Sequence, residues 1–324
     1  MRILIIKLGA IGDVLRTTSA LKGLREKYSP ACLDWLTSEV AKEVLLHNPL
    51  IDHLYTWPEK KRLKPYDLVI GLEDELKVRE FVSKISQEEI LGAFADGYTP
   101  SSWFDMSAIS RFGLEKANEL KRLNKKTFQE HLGELLGVRY GGYVFQLTPE
   151  EIEYGRNFVK GLGIGRGKRI IGVNTGAGKR WQMKALGIEK TIELIKILSK
   201  ELGVASLILG GKEEEQRNQI IAKETVMPSA GVHSIRHFAA IINQCEVVVT
   251  SDSLAMHLAI ALGKKLVVFF GPTSATEIEL YGLGEKIQPQ MDCLVCYRKT
   301  CDKKPSCMAG LSLAEIVEVI KCRI

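Results

Sequence analysis

An acidic residue closes a glycine turn directly after the first apolar run of the chain. The segment reads KLGAIGDV, so that Gly9 and Gly12 precede Asp13. Phosphates often bind where such a turn leads from a strand into a helix, but a carboxylate in the turn would repel pyrophosphate. The glycines leave room for a substrate, with Gly12 beside an acceptor, and Asp13 could take the proton of an attacking hydroxyl. The alternative is that Asp13 caps the following helix.

A second glycine turn, VNTGAGKRW, follows an apolar run near the middle of the chain. Thr175, the backbone amides from Gly176 to Gly178 and the ammonium of Lys179 could hold a phosphate there. The turn is not a P-loop, because five residues instead of four separate Gly172 from Gly178 and an arginine follows the lysine. A plain glycine turn with an exposed lysine is the alternative.

The segment LGGKEEEQR places the carboxylates of Glu213 to Glu215 directly after another apolar run. A carboxylate at the end of a strand can bind the hydroxyls of a ribose. Acidic residues also favour the first turn of a helix, because they complement its dipole. Both interpretations fit this segment.

A fourth segment, TSDSLAMHLAIALG, opens a helix with Asp252 and Ser253 after an apolar strand. The free backbone amides at the start of such a helix can receive an anion. His257 follows about one helical turn later, where it is either part of the site or a structural core residue. The next strand ends in FFGPT, a turn that could close the pocket.

Four of the seven cysteines crowd into the spacing C-x2-C-x4-C-x5-C near the carboxyl terminus. Compact sets of four thiolates suit zinc or an iron–sulfur cluster, and reduced thiols in an ordered loop are the alternative. Because the motif lies far in sequence from the other candidate residues, a metal there would be structural. The four residues are Cys293, Cys296, Cys301 and Cys307.

The elements that must position these residues alternate between strand and helix in both halves of the chain. This alternation predicts parallel sheets with helices on both faces, and the candidate loops follow the carboxyl ends of strands, where ligands bind. The segment DVLRTTSALKGLREKY is predicted to form one helix, and Thr148 with Glu151 predicts the start of another. The 324 residues suggest two domains, which we place at residues 1–160 and 161–324.

Charge and hydropathy limit the kinds of binding partner and the cellular location that we expect for this protein. The net charge of +6 suits an anionic partner, while the lack of an RNP-like motif or a Cys/His finger argues against nucleic acid. The basic stretches Lys60–Lys64 and Lys116–Lys126, with Lys121 and Arg122, are either solvated surface or an anion-recruiting face. No apolar run approaches the length of a membrane span, and the apolar run at the amino terminus is too short for a signal-peptide core, which predicts a cytoplasmic protein.

Taken together, these segments resemble glycosyltransferase family 9, the bacterial ADP-heptose:lipopolysaccharide heptosyltransferases. The resemblance follows family order over nearly the whole chain, through KLGAIGDV with TTSAL, NTGAGKRW, LGGKEEE, SDSLAMHLAIALGKKLVVFFGPT and CLVCYRKTCDKKPSCM. It implies a GT-B fold, with two Rossmann-like domains facing across a cleft. The first domain would take the acceptor and the second the nucleotide sugar.

The resemblance also implies roles for single residues. Asp13 matches the catalytic base of an inverting transfer, and Lys179 would stabilise the departing diphosphate. One departure is the turn from Gly176 to Gly178, which is shorter and smaller than in many family members. Glu214 matches the contact with the donor's ribose, and His233 the contact with its adenine. The residues matched to the donor are Thr175, Gly176, Lys179, Glu214, His233, Asp252, Ser253, Leu254 and His257.

The function implied is transfer of heptose from ADP-heptose to an anionic, lipid-linked lipopolysaccharide core at the inner face of the cytoplasmic membrane, where the protein would be peripheral. A lysine and a helix dipole can stabilise departing ADP without a metal, and no DxD pair stands in these loops, so no catalytic cofactor is expected. One alternative is a transferase of the same fold with another nucleotide sugar or glycan. Another is a non-catalytic nucleotide- or metal-binding protein. A dehydrogenase is disfavoured, because the G-x-G-x-x-G fingerprint is missing.

Overall fold

The chain forms two compact units in the computed structural model. One unit comprises Met1–Gln146 with Thr276–Glu279, and the other comprises Leu147–Ala275 with Leu280–Ile324. Among the helices of the described residues, none combines the length and the apolar composition needed to cross a lipid bilayer. The structure describes residues 1–58, 65–73, 75–82, 84–85, 87–92, 104–164 and 167–324.

The first unit contains a sheet of five parallel strands in the order β3-β2-β1-β4-β5. The central strand, RILII, is almost continuously apolar and buried, as expected for a parallel strand covered on both faces. The chain runs from β1 outward through β2 and β3 and then returns to β4 on the other side of β1. Ligands bind at such a switch point. The strands are β1 (Arg2–Ile6), β2 (Cys32–Ser38), β3 (His53–Trp57), β4 (Tyr66–Gly71) and β5 (Gln87–Gly92).

The helix predicted after β1 is interrupted. The structure has α1 (Ile11–Thr17), a 3₁₀ turn and then α2 (Leu21–Lys27). The hydroxyl of Thr17 donates to the carbonyl of Asp13 at 2.7 Å, and the hydroxyl of Thr18 donates to a neighbouring carbonyl at 2.6 Å. Hydroxyls that bond back into a helix bend it, which accounts for the break. The remaining helices of this unit are α3 (Leu76–Val82), α4 (Phe104–Leu123) and α5 (Phe128–Leu136).

The second unit repeats the architecture with strand order β10-β9-β8-β6-β7. Its switch point lies between β6 and β8, because the chain runs from β6 to β7 on one side and then crosses to β8 on the other. The strands are β6 (Ile170–Asn174), β7 (Ala205–Leu209), β8 (Val247–Ser251), β9 (Lys265–Phe269) and β10 (Gly284–Ile287). The helices are α6 (Pro149–Gly161), α7 (Ile188–Leu202), α8 (Glu215–Thr225), α9 (Ile235–Ile242), α10 (Leu254–Ala261) and α11 (Leu313–Lys321).

Helix α6 packs within the second unit. The predicted capping box is confirmed, since Thr148 and Glu151 exchange side-chain and backbone hydrogen bonds at its start. Glu151 also pairs with the buried Arg236 of α9. Gly155 allows close approach, because a Cβ there would collide with the carbonyl oxygen of Ala240. By its packing, α6 therefore belongs with the second sheet, although all but its last residue precede residue 161.

Candidate functional site

The loop between β1 and α1 is held by a carboxylate from the strand across the switch point. Oε1 of Glu73, which follows β4, accepts hydrogen bonds from the backbone N–H groups of Leu8 at 2.6 Å and Gly9 at 3.1 Å. The ammonium of Lys7, almost fully buried, lies 3.1 Å from the same oxygen. These two N–H groups are therefore used by Glu73 and are not presented to a phosphate.

Asp13 is the third residue of α1, and the N-cap position belongs to Ala10. The helix-cap alternative is therefore wrong. The Asp13 side chain is 37% exposed, and its Oδ1 lies 3.1 Å from Nη2 of Arg16. The buried Arg16 guanidinium lies 3.8 Å from the ring centroid of Phe128. The result is an accessible carboxylate, at the carboxyl end of β1, that an arginine holds in place next to the half-buried Gly12.

The predicted acceptor contacts on α4 differ in exposure. Lys121 is buried, whereas the adjacent Arg122 is exposed. Elsewhere in this stretch, Lys116 pairs with Glu119 at 3.0 Å on the surface. The role of Lys121 and Arg122 toward an acceptor remains a prediction. The basic stretch Lys60–Lys64 lies outside the described residues.

At the switch point of the second sheet, Asn174 joins the loops that follow β6 and β8. Its Nδ2 lies 2.7 Å from the carbonyl oxygen of Gly176, 3.1 Å from Oγ1 of Thr250 and 3.2 Å from Oγ of Ser253. The two hydroxyls are themselves 2.9 Å apart. The amide thereby fixes both turns relative to each other. Sequence reasoning missed Asn174, although its place as the last residue of a buried strand was a usable signal.

Glu214 ties the loop after β6 to the loop after β7. Its Oε1 accepts from the backbone N–H of Gly178 at 3.1 Å, and its Oε2 accepts from that of Gly211 at 2.9 Å. The carboxylate packs so closely on Gly176 that a Cβ at that position would collide with it. This contact explains the small residue in the predicted phosphate turn. Glu214 is buried, and its predicted ribose contact remains a prediction.

Thr175 is directed into the unit. It is buried, and its hydroxyl donates to Oδ1 of Asn218 at 2.5 Å. Its backbone N–H donates to the carbonyl of Leu209 at 3.1 Å, which extends the pairing of β6 with β7. The donor capacity of Thr175 is thus used to hold the turn, and a contact with the donor diphosphate remains a prediction.

A lysine that sequence reasoning missed pairs with Asp252. Nζ of Lys184 lies 2.7 Å from Oδ2 of Asp252 and 3.2 Å from its carbonyl oxygen. Burial by itself raises the pKa of the Asp252 carboxyl. The ammonium of Lys184, then His257, and the hydrogen bond from Lys184 outweigh burial and hold this pKa below its usual value. Asp252 is therefore ionised in the neutral range, next to a fixed cation.

Two other predicted donor residues stand at the start of α10. Ser253 is the N-cap residue, and Leu254 is the first residue of the helix. His257 is buried one turn later. The predicted Lys179 lies at the exposed start of the 3₁₀ segment Lys179–Lys184, so that this segment carries a lysine at each end.

His233 lies in the stretch between α8 and α9. Its Nε2 is 2.6 Å from the carbonyl oxygen of Ala230, and therefore carries the proton, while Nδ1 accepts from the hydroxyl of Tyr154 at 2.9 Å. His237 stacks on the same tyrosine, with ring centroids 3.8 Å apart. Both ring nitrogens of His233 are engaged, so a contact with adenine, which remains a prediction, would use the ring face.

The cysteine-rich tail docks beside the loop that follows β9. Backbone N–H groups of Val295 and Tyr297 donate to the carbonyls of Gly271 and Pro272 at 3.0 and 2.9 Å. The hydroxyl of Tyr297 accepts from the backbone N–H of Ser274 at 3.3 Å. Since Thr273 of this loop is among the groups that lower the pKa of Asp252, the tail is distant from the donor loops in sequence but adjacent to them in space.

Aromatic contacts extend this link. The ring of Tyr297 meets that of Trp181 edge to face, with centroids 6.2 Å apart. The Trp181 ring centroid lies 5.6 Å from Nζ of Lys184, the partner of Asp252. The tail therefore reaches the Lys184–Asp252 pair through one intermediate side chain.

All four cysteines of the tail are free thiols. Burial raises the pKa of the Cys307 thiol, and the backbone N–H of Met308 partly offsets this rise. The thiols of the other three cysteines raise the pKa further, which indicates that they are its electrostatic neighbours. Within the described ranges, however, the four sulfurs are not gathered into a set in which all lie within 4.8 Å of one another.

A cavity of about 550 Å³ lies elsewhere in the second unit, between the segment after β10 and the start of α11. Lys303 and Lys304 contribute to its wall. The predicted donor residues do not line it, so we base the candidate site on the loops at the switch point, where ligands bind in open parallel sheets.

Comparison with known proteins identifies the family. The model of "Glycosyltransferase family 9 (heptosyltransferase)" matches residues 59–306. Lipopolysaccharide heptosyltransferase 1 of Campylobacter coli is 22% identical over 353 residues, which cover 99% of this chain and 98% of that protein.

Two solved structures show the same fold. The glycosyl transferase family 9 protein from Veillonella parvula has a TM-score of 0.76 and 19% identity, over 99% of this chain and 96% of that one. The E. coli ADP-heptose lipopolysaccharide heptosyltransferase II has a TM-score of 0.68 and 17% identity, over 99% and 98%. The predicted GT-B class, an α/β fold with two parallel sheets, is confirmed, as is the prediction of a glycosyltransferase. The chain belongs to glycosyltransferase family 9.

Proposed function

We propose that this protein transfers heptose from ADP-heptose to the inner core of lipopolysaccharide. The observation that carries the proposal is a division of chemistry between two switch points. In the first unit, Glu73 occupies the loop amides and leaves the accessible Asp13 carboxylate. In the second unit, the polar groups suited to a nucleotide diphosphate gather around Asn174, Lys184 and the start of α10.

The second unit binds the donor in this proposal. The first backbone N–H groups of α10, at Ser253 and Leu254, attract the diphosphate together with the ammonium groups of Lys184 and Lys179. These groups stabilise the charge that develops on departing ADP. Glu214 and His233 contact the ribose and the adenine, and Thr175, Gly176 and His257 shape the turns against which the diphosphate lies.

Asp13 is the general base. The acceptor hydroxyl oxygen attacks the anomeric carbon, the bond from that carbon to the ADP oxygen breaks, and the hydroxyl proton passes to the Asp13 carboxylate. Attack opposite the leaving group inverts the anomeric centre. Arg16 keeps the carboxylate in one orientation, as its 3.1 Å contact indicates, and Gly12 leaves room for the acceptor.

The acceptor is anionic and lipid-linked, so the protein works as a peripheral protein at the inner face of the cytoplasmic membrane. Arg122 is exposed and can meet a phosphate directly, while the buried Lys121 adds positive potential behind it. Substituting Arg122 by glutamine is therefore expected to raise KM for the acceptor more than KM for ADP-heptose, measured in one assay with each substrate varied.

The deciding experiment is a transfer assay with ADP-heptose and deacylated core acceptors. We expect Asp13→Asn to lower kcat by about 10²–10⁴-fold and to leave ADP affinity nearly unchanged. Glu26→Gln, which alters an exposed carboxylate of the same unit, is the matched control and should keep full activity.

The other outcomes are equally informative. Full activity of Asp13→Asn would remove Asp13 as the base. Transfer only from a different nucleotide sugar would show that this sugar nucleotide, and not ADP-heptose, is the donor. Binding of ADP or of metal without transfer from any sugar nucleotide would leave a non-catalytic nucleotide- or metal-binding protein.

The tail is proposed to hold a structural zinc ion or iron–sulfur cluster on Cys293, Cys296, Cys301 and Cys307. The spacing and the electrostatic proximity of the other three thiols to Cys307 support this proposal. Elemental analysis of purified protein, with Cys293→Ser/Cys296→Ser as the depleted variant, tests it. Equal metal content in both proteins would show that the four cysteines bind no metal and are reduced thiols in an ordered loop.

A further inference from the structure

A second set of metal-binding side chains lies at the amino-terminal edge of the first sheet, at the opposite end of the strands from Asp13. Cys32 and Asp34 are two residues apart on β2 and therefore point to the same face. The register of the sheet places Asp34 directly beside His53, the first residue of β3. A thiol, a carboxylate and an imidazole thus converge although they are up to 21 residues apart in sequence.

The three ligand atoms already lie close together. Sγ of Cys32 is 3.2 Å from Oδ1 of Asp34, Nδ1 of His53 is 2.8 Å from the same oxygen, and the sulfur is 3.8 Å from the imidazole nitrogen. Tetrahedral zinc separates such ligands by about 3.3–3.6 Å. Shifts of about half an ångström would therefore seat an ion between them.

The carboxylate is held from behind. Asp34 is 1% exposed, and its Oδ2 accepts from Nη2 of Arg2 at 2.9 Å and from the hydroxyl of Tyr66 at 2.8 Å. Partners of this kind fix the orientation of a carboxylate ligand and leave its other oxygen directed at the ion. Asp34 is a buried charged group with one oxygen turned toward a thiol and an imidazole.

The ligand cluster is also open to solvent. The His53 side chain is 59% exposed and Cys32 is partly exposed. An ion can therefore enter from solvent, and water can complete four-coordination. Sulfur, nitrogen and oxygen ligands together suit Zn²⁺ among the common divalent cations, whereas magnesium and calcium prefer oxygen alone.

We propose that Cys32, Asp34 and His53 form a zinc site that ties β2 to β3. On binding, the thiol of Cys32 releases its proton to solvent, and His53 binds through Nδ1 as a neutral imidazole with its proton on Nε2. The site is structural, because it lies at the end of the sheet remote from Asp13. It goes beyond the proposed function and does not depend on it.

The test is zinc binding by the full chain at pH 7.5, with free Zn²⁺ set by a chromophoric chelator. Wild type is compared with Cys32→Ser and His53→Gln, with Cys322→Ser as the control that removes another exposed thiol. We expect both site variants to lose one equivalent of tight zinc, with at least about tenfold weaker binding, while the control keeps it. Asp34→Asn is avoided, because loss of the buried charge would disturb Arg2 and Tyr66 as well.

The same measurement in Cys293→Ser/Cys296→Ser separates this site from the tail. The proposal holds if Cys32→Ser removes an equivalent in this background too, and if cobalt-loaded protein then loses a thiolate-to-cobalt absorption band. It is overturned if Cys32→Ser and His53→Gln bind as many equivalents as the parent protein with the same affinity, or if the tail variant binds no zinc. Circular dichroism shows whether each variant is folded, and His53→Gln, at an exposed position, serves if Cys32→Ser is not.

Discussion

The two units use a buried or nearly buried glutamate in the same way but on opposite sides of the central strand. In the first unit, Glu73 follows β4, the strand across the switch point. Its carboxylate contacts the loop after β1 from the side of the crevice, the space at the carboxyl ends of β1 and β4. In the second unit, Glu214 follows β7, on the other side of β6, and braces the loop from there. The crevice between β6 and β8 is left to Asn174, Lys184 and the start of α10.

Under the proposed function, this difference separates the loop that carries the base from the loops that bind the donor diphosphate. A carboxylate at the switch point occupies backbone N–H groups that could otherwise bind a phosphate, and in the first unit the ammonium of Lys7 balances its charge. A carboxylate behind the central strand orders the loop without entering the crevice. The two sheets therefore differ in which strand carries the glutamate that orders the loop after the central strand.

The largest effect is expected from Glu73→Gln. It leaves the buried ammonium of Lys7 without its 3.1 Å carboxylate, and breaking a buried pair of this kind costs about 3 kcal/mol of the free energy of unfolding. Urea unfolding of the purified variant measures the loss, with the exposed Glu26→Gln as control. A change below about 0.5 kcal/mol would show that Glu73 does not organise this loop.

The second largest effect is expected from Gly176→Ala. The new Cβ collides with Glu214, so the turn or the carboxylate must move, at a cost of about 2 kcal/mol. ADP affinity, measured by titration calorimetry, should fall together with stability, measured by urea unfolding. Gly142→Ala, at a glycine with open space around its Cβ, is the matched control. If the collision is the cause, Gly176→Ala should cost little further stability in a Glu214→Ala background, and a cost as large as in the wild type would contradict it.

The Lys184–Asp252 pair should give a smaller, pH-dependent effect. Because the folded-state pKa of Asp252 is lowered, its contribution to stability is present above about pH 4 and is lost as the pH falls through the lowered pKa. Lys184→Met should cost about 1.5 kcal/mol at pH 7, and the difference from wild type should shrink toward pH 2. Unfolding at a series of pH values measures this. A difference that is independent of pH would exclude the ion pair as its source.

Tyr297→Phe should have the smallest effect. It removes a 3.3 Å hydrogen bond from the Ser274 backbone and keeps the ring against Trp181, so stability should fall by about 0.5–1 kcal/mol. Tyr297→Ala, which also removes the ring contact, should further raise KM for ADP-heptose. Tyr28→Phe is the control. Equal KM values for all of these proteins would show that the tail does not position the donor loops.

Local patterns in the sequence were sufficient for much of the architecture. Apolar runs such as RILII identified buried parallel strands, and Thr148 with Glu151 identified the start of α6, because these signals depend on neighbouring residues alone. The predicted helix after β1 was wrong in one respect. Its apolar spacing was correct, but the hydroxyls of Thr17 and Thr18 compete for backbone carbonyls and break it.

Contacts between side chains that are distant in sequence could not be predicted from the sequence. Lys179 stood out because it follows a glycine turn, yet Lys184 is the lysine that pairs with Asp252, since the 3₁₀ segment turns it back toward β8. The tail lies far from the donor loops in sequence, but the path of the chain after β10 returns it to the loop after β9. Contacts of this kind depend on how distant segments pack.

The sequence by itself determined the parallel α/β class, the family resemblance and the position of Asp13 after the first strand, because period, glycine spacing and residue order are local properties. Tertiary structure alone decided which strand carries Glu73 and Glu214 to each loop. It also decided that the register between β2 and β3 sets His53 beside Asp34. Strand order and register are collective properties of a sheet, and no stretch of sequence contains them.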